Sequence, residues 1–292
     1  MLSIILPTYN NIRYLKLCIK SIKKNSKYNH EIILHINEGT DGTLEYAKKN
    51  ELKFSYSAIN NGICIGCNNA AKLSKYELLL YAHDDMYFCP NWDSILINES
   101  KKINGDNYYL SGTMIKNGHI HNYSCGDTID DFDEKKLLID HKKLNYHNFQ
   151  GSTWAPTLIP KKLWMDVGGL SEEYTPGTGS DPDLNMKLWK KGVRIFKGMG
   201  ESKVYHFGSI VTRQKEFKYL TKTETGNKGN KIFLLKWGIT IKFFKKYYMR
   251  SDTKYLGPLP EPCKNFSYFR DLIKCKFLYC YIFLINKLNN KI

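Results

Sequence analysis

Glu77-Leu-Leu-Leu-Tyr-Ala-His-Asp-Asp85 joins an apolar, strand-like run to an abruptly acidic exit, and it is the fourth such run in the first hundred residues. Working back to the N-terminus, Leu2 to Leu6 is an apolar run closed by Pro7, after which Ile12, Leu15, Ile19 and Ile22 recur at helical spacing through Lys24. Glu31-Ile-Ile-Leu-His-Ile36 predicts a second strand, Asn37-Glu-Gly-Thr-Asp-Gly-Thr43 a turn-rich loop, and Leu44 to Lys49 a second helix. Lys53 to Ser57 is a weak third strand, Asn60-Asn-Gly62 a turn and Ile65 to Leu73 a third helix. Such βαβα alternation predicts a mostly parallel sheet covered by helices. Ligands of open α/β sheets bind beyond the carboxyl ends of the strands. Every such exit is polar here: Pro7-Thr-Tyr-Asn10, Asn37 to Asp41, Asn60-Asn-Gly62 and His83-Asp-Asp85. None carries GxGxxG or GxxxxGK[ST], so the dinucleotide and P-loop fingerprints are absent.

The chain has 292 residues, 42% hydrophobic and 25% charged, enough to bury a core in one or two domains. Its formal charge is +16, yet only five of 44 basic residues are Arg: Arg13, Arg194, Arg213, Arg250 and Arg270. Readers of nucleic-acid sequence lean on bidentate Arg, so the Lys excess points to anionic partners in general, phosphates and acidic membrane surfaces among them, and not to nucleic acid. The N-terminus lacks the basic flank and length of a signal peptide. The longest clean apolar run, Phe277 to Ile285, is too short to span a bilayer. Eight scattered Cys then predict a reducing, cytoplasmic location. Cys64-Ile-Gly-Cys67 has no second pair at zinc spacing and reads as small buried thiols.

The second half is less regular. Residues 112 to 150 are polar, with His119, His121, Asp127, Asp130, Asp131 and Asp133, and read as a long excursion or lid. A helix near Lys161 to Val167, Gly168-Gly169 and a strand at Val193 to Phe196 flank the sharpest local signal, Ser180-Asp-Pro-Asp183. There Asp181 reads as N-cap and Pro182 as N1 of a helix through Lys190, closed by Gly192.

Ser3 to Asn10, the Asn37 to Thr43 loop, Asn61-Gly62, His83-Asp84-Asp85, Gly168-Gly169, Asp181-Pro-Asp183 and Val204-Tyr-His206 occur in order over roughly residues 1 to 210. Together they resemble family-2 inverting glycosyltransferases. The resemblance implies an α/β fold of GT-A type, a Rossmann-like mixed, mostly parallel sheet flanked by helices. It implies a hexosyltransferase that takes a nucleotide-sugar, a UDP-sugar by preference, and a glycan, lipid-linked or protein acceptor.

The resemblance also distributes roles. Asp85 becomes the ligand of Mg²⁺ or Mn²⁺, Asp84 a contact to ribose or a neighbouring cation, and His206 a further metal or diphosphate contact. Two adjacent carboxylates at a strand end would repel unless solvated or cation-bound, which fits. His83 stands where the family's DxD motif has its first Asp, and is assigned to support or packing. Asp181 becomes the general base, with Asp183 second, although an N-cap and a helix-dipole partner need no chemistry. Tyr9 would stack on the nucleobase, with Pro7, Thr8 and Asn10 in the same loop. Glu38 and Asp41 would reach base or ribose, Asn61 and Gly62 bring backbone to the nucleotide, and Trp154 faces the acceptor. A catalytically silent sugar-nucleotide-binding or interaction module is the alternative; a nucleotidyltransferase lacks its phosphate loop here.

Residues 1–215 read as the catalytic domain, 1–110 holding the donor and 111–215 the acceptor, and 216–292 as a basic, aromatic helical extension. Ile232, Phe233, Leu235, Trp237 and Phe243-Phe244 lie among many Lys, Asp252 to Lys264 reads as a Pro-containing linker, and Phe266 to Ile285 carries flanking Lys274, Lys276 and Lys287. The extension predicts either packing on the catalytic domain or a partner, or peripheral contact with the cytoplasmic face of a membrane.

Overall fold

Apolar strands flanked by amphipathic helices bury both faces only by stacking into one covered sheet, and the chain does so. The computed structural model describes residues 1–151, 154–208 and 226–288. Parallel strands β1 (Ser3–Tyr9), β2 (Glu31–Asn37), β3 (Lys53–Ser57) and β4 (Leu78–Tyr81) are joined through α1 (Ile12–Asn25), α2 (Thr43–Lys49) and α3 (Gly62–Lys72). β5 (Met86–Phe88), α4 (Trp92–Ser100), β6 (Tyr108–Ile115), α5 (Glu134–Asp140) and β7 (Phe149–Gln150) follow. Then come β8 (Thr157–Pro160), α6 (Lys161–Asp166), α7 (Ser180–Lys190) and β9 (Ile195–His206). The sheet order is β3-β2-β1-β4-β8-β6-β9-β5, with β7 on β9. β8 runs antiparallel to β4 and β6, and β5 and β7 antiparallel to β9, while most of the paired length is parallel.

Several elements differ from expectation for identifiable reasons. Pro7 does not end β1. Ala82 N donates to Ile5 O on the β4 side, and β4 stops at Tyr81, so the missing N–H of Pro7, two residues on, faces no strand. Pro7 is buried, and a Cβ on Gly66 would lie 3.3 Å from it, so it packs under the exit loop instead of lining it. β9 is one strand of 12 residues, not a short strand at 193–196. The polar 112–150 segment is no lid: β6 continues to Ile115, and Cys125 and Leu137 pack with Tyr14, Tyr87, Tyr205 and Phe207 in a second apolar cluster. Its acids are spent on the fold, Asp131 accepting from Asp127 N and Thr128 N, Asp133 capping α5 and Asp130 pairing with Arg13 of α1. His119 accepts from Met114 N and packs with its ring tilted 40° to that of Phe149, the centroids 4.2 Å apart.

Helix α7 starts two residues earlier than its sequence pattern predicts. Gly179, at φ +90°, is the cap, which puts Asp181 and Pro182 second and third in the helix. The first turn needs no N–H from its third residue, so Pro182 is accommodated there. Asp183 is fully buried and consumed by its own chain. Its Oδ2 accepts from Ser171 Oγ, its Oδ1 accepts from Trp237 Nε1 at 2.8 Å, and Lys236 lies 3.0 Å away. The expected catalytic role for Asp183 therefore gives way to a structural one.

That tie reaches the C-terminal segment, α8 (Gly226–Trp237), α9 (Ile241–Phe244), a π-turn at Lys245–Met249 and α10 (Phe266–Leu288). Phe233, Phe243, Phe244 and Met249 share the main core with Tyr174 and Trp189. The stretch from Asp252 is no free linker: Gln150 N donates to Thr253 O at 2.7 Å and Leu259 N to Arg194 O at 2.8 Å. The expected boundary at 215/216 lies outside the described residues. Removing the Asp183 carboxylate leaves Lys187 and Lys236 facing a buried gap, so Asp183→Ala is expected to cost about 3 kcal/mol in urea unfolding. Trp237→Phe, losing one hydrogen bond, is expected to cost about 1 kcal/mol in the same assay.

Candidate active site

The site begins where β4 ends. Because Met86 pairs with His206 across β5 and β9, the residue before Met86 meets the end of β9: Phe207 N donates to Asp85 O at 3.1 Å. His206 Nε2 then lies 3.4 Å from Asp85 Oδ1, and the His83 and His206 rings are 5.8 Å apart. One ligand atom from each of His83, Asp85 and His206 falls within 4.8 Å of the others, the one grouping of this kind among the described residues. Burial pushes the His83 imidazole down to about 4, leaving it neutral with a lone pair to offer at neutral pH. Tyr81 OH, 2.9 Å from His83 Nε2, fixes that ring. The donor set fits a divalent cation, and His83, left out of the ligands by sequence reading, belongs to it.

Asp84 is buried beside the trio, and burial, then the Asp85 charge, raise its pKa. Thr8 and Asn11 oppose that shift. Asp84 Oδ2, Thr8 Oγ1 and Asn11 Nδ2 are nevertheless buried without a well-formed hydrogen bond, polar capacity available to a ligand. Sequence reading passes over Asn11, which looks there like an ordinary turn residue.

The exits of β1 and β2 are joined to each other. Asn10 Oδ1 accepts from Thr40 N at 2.9 Å, and Asn10 Nδ2 lies 3.5 Å from Glu38 Oε2. Asp41 is spent on the fold: Oδ2 accepts from Ile12 N at 2.7 Å and Oδ1 from Thr43 N and Oγ1, so one carboxylate caps both α1 and α2. Its expected contact to base or ribose is replaced by this clamp, and Glu38 is the acid left at the exit. Tyr9 is half-buried on the same rim. Asn61 sits just before α3, its N–H held by Asn37 Oδ1 at 2.9 Å and its Nδ2 donating to Ser57 Oγ at 3.0 Å. Gly62, at φ +77°, sits against the protein itself: a Cβ there would lie 2.9 Å from Thr175 Cγ2 and 3.0 Å from Pro176 Cα.

Asp181 lies within electrostatic reach of Tyr81. Its Oδ1 is buried with no hydrogen-bond partner among the described residues, and burial pushes its pKa up to about 7. Lys245, from the π-turn, is the charge that draws it back. Cys64, Cys67, Tyr81 and Tyr109 face the same carboxylate, and burial raises all four pKa values before the Asp181 charge adds to them. The Lys245 ammonium also lies 5.1 Å from the ring centroid of Trp154, which is 39% exposed. The structure thus brings together Asp181, Trp154 and a lysine that no local sequence signal attaches to them. All eight cysteines are free, and burial pushes Cys64 up to about 12, an inert thiol rather than half of a redox pair.

Residues 3–155 match the family model described as glycosyl transferase family 2. An uncharacterized glycosyltransferase of Rickettsia prowazekii is 30% identical over 197 residues, 65% of this chain and 59% of that protein. The chain therefore spans less than two thirds of that relative. Among solved structures, S. aureus TarS 1-349 in complex with UDP superposes with a TM-score of 0.52 at 17% identity, over 70% of this chain and 59% of that one. GalNAc-T7 with UDP, GalNAc and Mn²⁺ does so with a TM-score of 0.55 at 16% identity, over 70% of this chain and 43% of that one. At such identities these two speak for the fold, the mixed sheet of GT-A type. With its matched N-terminal half and that fold, the chain belongs to glycosyl transferase family 2.

Proposed function

We propose that the protein transfers a sugar from a UDP-sugar to an acceptor hydroxyl with inversion at the anomeric carbon. The supporting observation is the placement of Asp181: a carboxylate with an unsatisfied oxygen and a pKa of about 7, linked through Tyr81, which feels its charge and bonds His83, to the His83, Asp85 and His206 cluster. Asp181 takes the acceptor proton as the hydroxyl oxygen bonds to the anomeric carbon and the bond to the diphosphate breaks on the opposite face. The short helix that carries it is anchored through Asp183, which holds the base rigidly. A divalent cation held by His83, Asp85 and His206 would carry the charge of the leaving diphosphate. Two imidazoles beside one carboxylate suit Mn²⁺ better than Mg²⁺, whose sites are built from oxygen. Thr8, Asn11, Asp84 and Glu38 line the nucleotide side, with Tyr9 against the base, and Trp154 offers an apolar face to the acceptor.

The exposed stripe of α10 supports a reading in which the acceptor is met at an anionic membrane surface on the cytoplasmic side. Phe266, Phe269, Ile273, Phe277, Tyr281 and Leu284 recur at helical spacing along α10, all exposed, with Phe266 at 82%. Arg270 and Lys274 flank this stripe on one side and Lys276 on the other, and the lone acid of the helix, Asp271, is already held by Lys246 and Tyr247. Two copies packed stripe to stripe would bring cation against cation, whereas anionic headgroups complement both flanks. No helix of the described residues is long and apolar enough to cross a membrane, so the contact is in-plane.

Asp181→Asn is expected to lower transfer by about 10²–10⁴-fold while UDP and Mn²⁺ still raise the melting temperature; retained turnover would overturn Asp181 as the base, and no turnover in the native protein would favour the silent module. In the native protein kcat/KM should rise with pH through about 7. The fold prefers the neutral acid, so the associated stability is complete below the ordinary pKa of 3.8 and is lost by about pH 7. The melting-temperature gain of Asp181→Asn over the native protein should therefore grow across that interval and stay level above it. Chelation should abolish turnover, and Asp85→Ala or His206→Ala should remove the Mn²⁺-dependent thermal shift, with His83→Ala weakening Mn²⁺ affinity by about tenfold. In flotation with phosphatidylglycerol vesicles, binding is expected at low salt and to fall for Phe266→Ser/Phe277→Ser; absence of binding at low and high salt alike discards the membrane contact.

A further inference from the structure

Beside the acceptor side of the site lies an open surface hollow of about 490 Å³ lined by Lys242, Lys245, Lys246, Asn230, Ser251 and Asp252. It is built by the π-turn and the segment after it, and Ser251 Oγ donates to Gly151 O at 3.0 Å, tying its wall to the strand that leads to Trp154. Lys245 connects the two places directly, since its ammonium lies over the Trp154 ring at 5.1 Å. The lysines are poorly neutralised. Lys242 and Lys245 make no ion pair with the described residues, and Lys246 shares Asp271 with Arg270. Asp252 is the single acid on the wall. Burial lowers the pKa of Lys245, and the charges of Asp252 and Asp181 only partly offset that cost of holding a cation away from water.

We propose that this hollow is the acceptor's phosphate subsite: the acceptor is a phosphorylated alcohol whose phosphate sits between Lys242 and Lys245 while its hydroxyl reaches Asp181. The proposal rests on the glycosyl-transfer reading and adds the chemical class of the acceptor. Ammonium groups at the end of flexible stems act as point charges toward phosphate oxygens, whereas planar carboxylates are read best by an Arg fork, and no Arg lines the hollow. The volume is that of a small-ligand site and accommodates a polyol or sugar phosphate. Trp154 then supplies the apolar face on which the carbon skeleton lies, and Lys245 serves both the phosphate and, through its charge, the ionised state of Asp181.

Calorimetry on the full chain tests this with glycerol 3-phosphate as probe and with glycerol, inorganic phosphate and glucuronate as comparators. Saturable binding of glycerol 3-phosphate is expected, tighter than that of inorganic phosphate, with none for glycerol or glucuronate. Lys242→Ala/Lys245→Gln should weaken it by about tenfold, the effect of losing charge-assisted hydrogen bonds, with the UDP and Mn²⁺ thermal shift preserved as evidence of folding. Lys20→Ala should bind as the native protein does. Equal affinity in the native and doubly substituted proteins, displacement of glycerol 3-phosphate by UDP, or equal binding of glucuronate would each overturn the proposal. Were the native protein to bind glycerol 3-phosphate through these lysines but not UDP, the donor reading would fall and the subsite would stand. UDP binding without glycerol 3-phosphate binding would remove the subsite and leave the donor reading in place.

Discussion

The antiparallel register of β5 on β9 is the constraint on which the site depends. Met86 opposite His206 brings Asp85 to the end of β9, and a slip of one residue would turn the imidazole to the opposite face of the sheet. The register is held from both sides. Met86, Tyr87 and Phe88 of β5 are buried, while β9 is anchored along β6 over nearly its whole length, with an irregularity between Ser111 and Thr113. Such a break in pairing adjusts twist where a long strand must serve two jobs, closing the sheet at one end and presenting a ligand at the other.

Around that register the protein separates two kinds of carboxylate. Asp41 and Asp183 are satisfied by backbone N–H groups, an indole and lysines, and their work is to join helices. Asp84 and Asp181 are buried with an oxygen unspent, and the fold raises both pKa values by withholding water. A carboxylate that a protein leaves unsatisfied costs stability, and such groups concentrate where a ligand or a proton is to be received. Tyr81 is hydrogen-bonded to His83 and feels the charge of Asp181, so one strand end links the His83, Asp85 and His206 grouping to Asp181.

Much of this is legible in the chain. The βαβα pattern and the polar exits locate β1 to β4 and the crevice beyond them, because strand period and helix period are local properties. Asp85 and His206 are assigned through motif resemblance, and the β5–β9 register supplies the physical reason that they meet. What local pattern does not reveal is how a side chain is spent. Asp41 and Glu38 are both acids in one loop, and only the positions of Ile12 and Thr43 make Asp41 a double cap. Asp181 and Asp183 flank one proline, and the difference between them is Trp237, far along the sequence. His83 reads as a departure from an acidic motif, although its residue type is itself a metal ligand and its position at a strand exit is the available signal.

The C-terminal segment shows the same limit most clearly. Its sequence differs in composition from the residues before it, basic and aromatic, and the family match ends at residue 155. Physically the separation disappears. Phe243, Phe244 and Met249 are buried in the main core, where each aromatic side chain contributes about 1.5–3 kcal/mol, so the catalytic half without them would expose a cleft against Trp189 and Tyr174. Packing that strong fixes the π-turn in place, and the π-turn is what aims Lys245 at Trp154 and Asp181. A wider turn of this kind shifts the facing of side chains relative to an α-helix and is favoured where a helix must present a group to a site. The excess positive charge of the chain is thus given direction by apolar burial: the aromatic residues decide where the segment sits, and the lysines carried with them decide which ligands that wall of the site can hold.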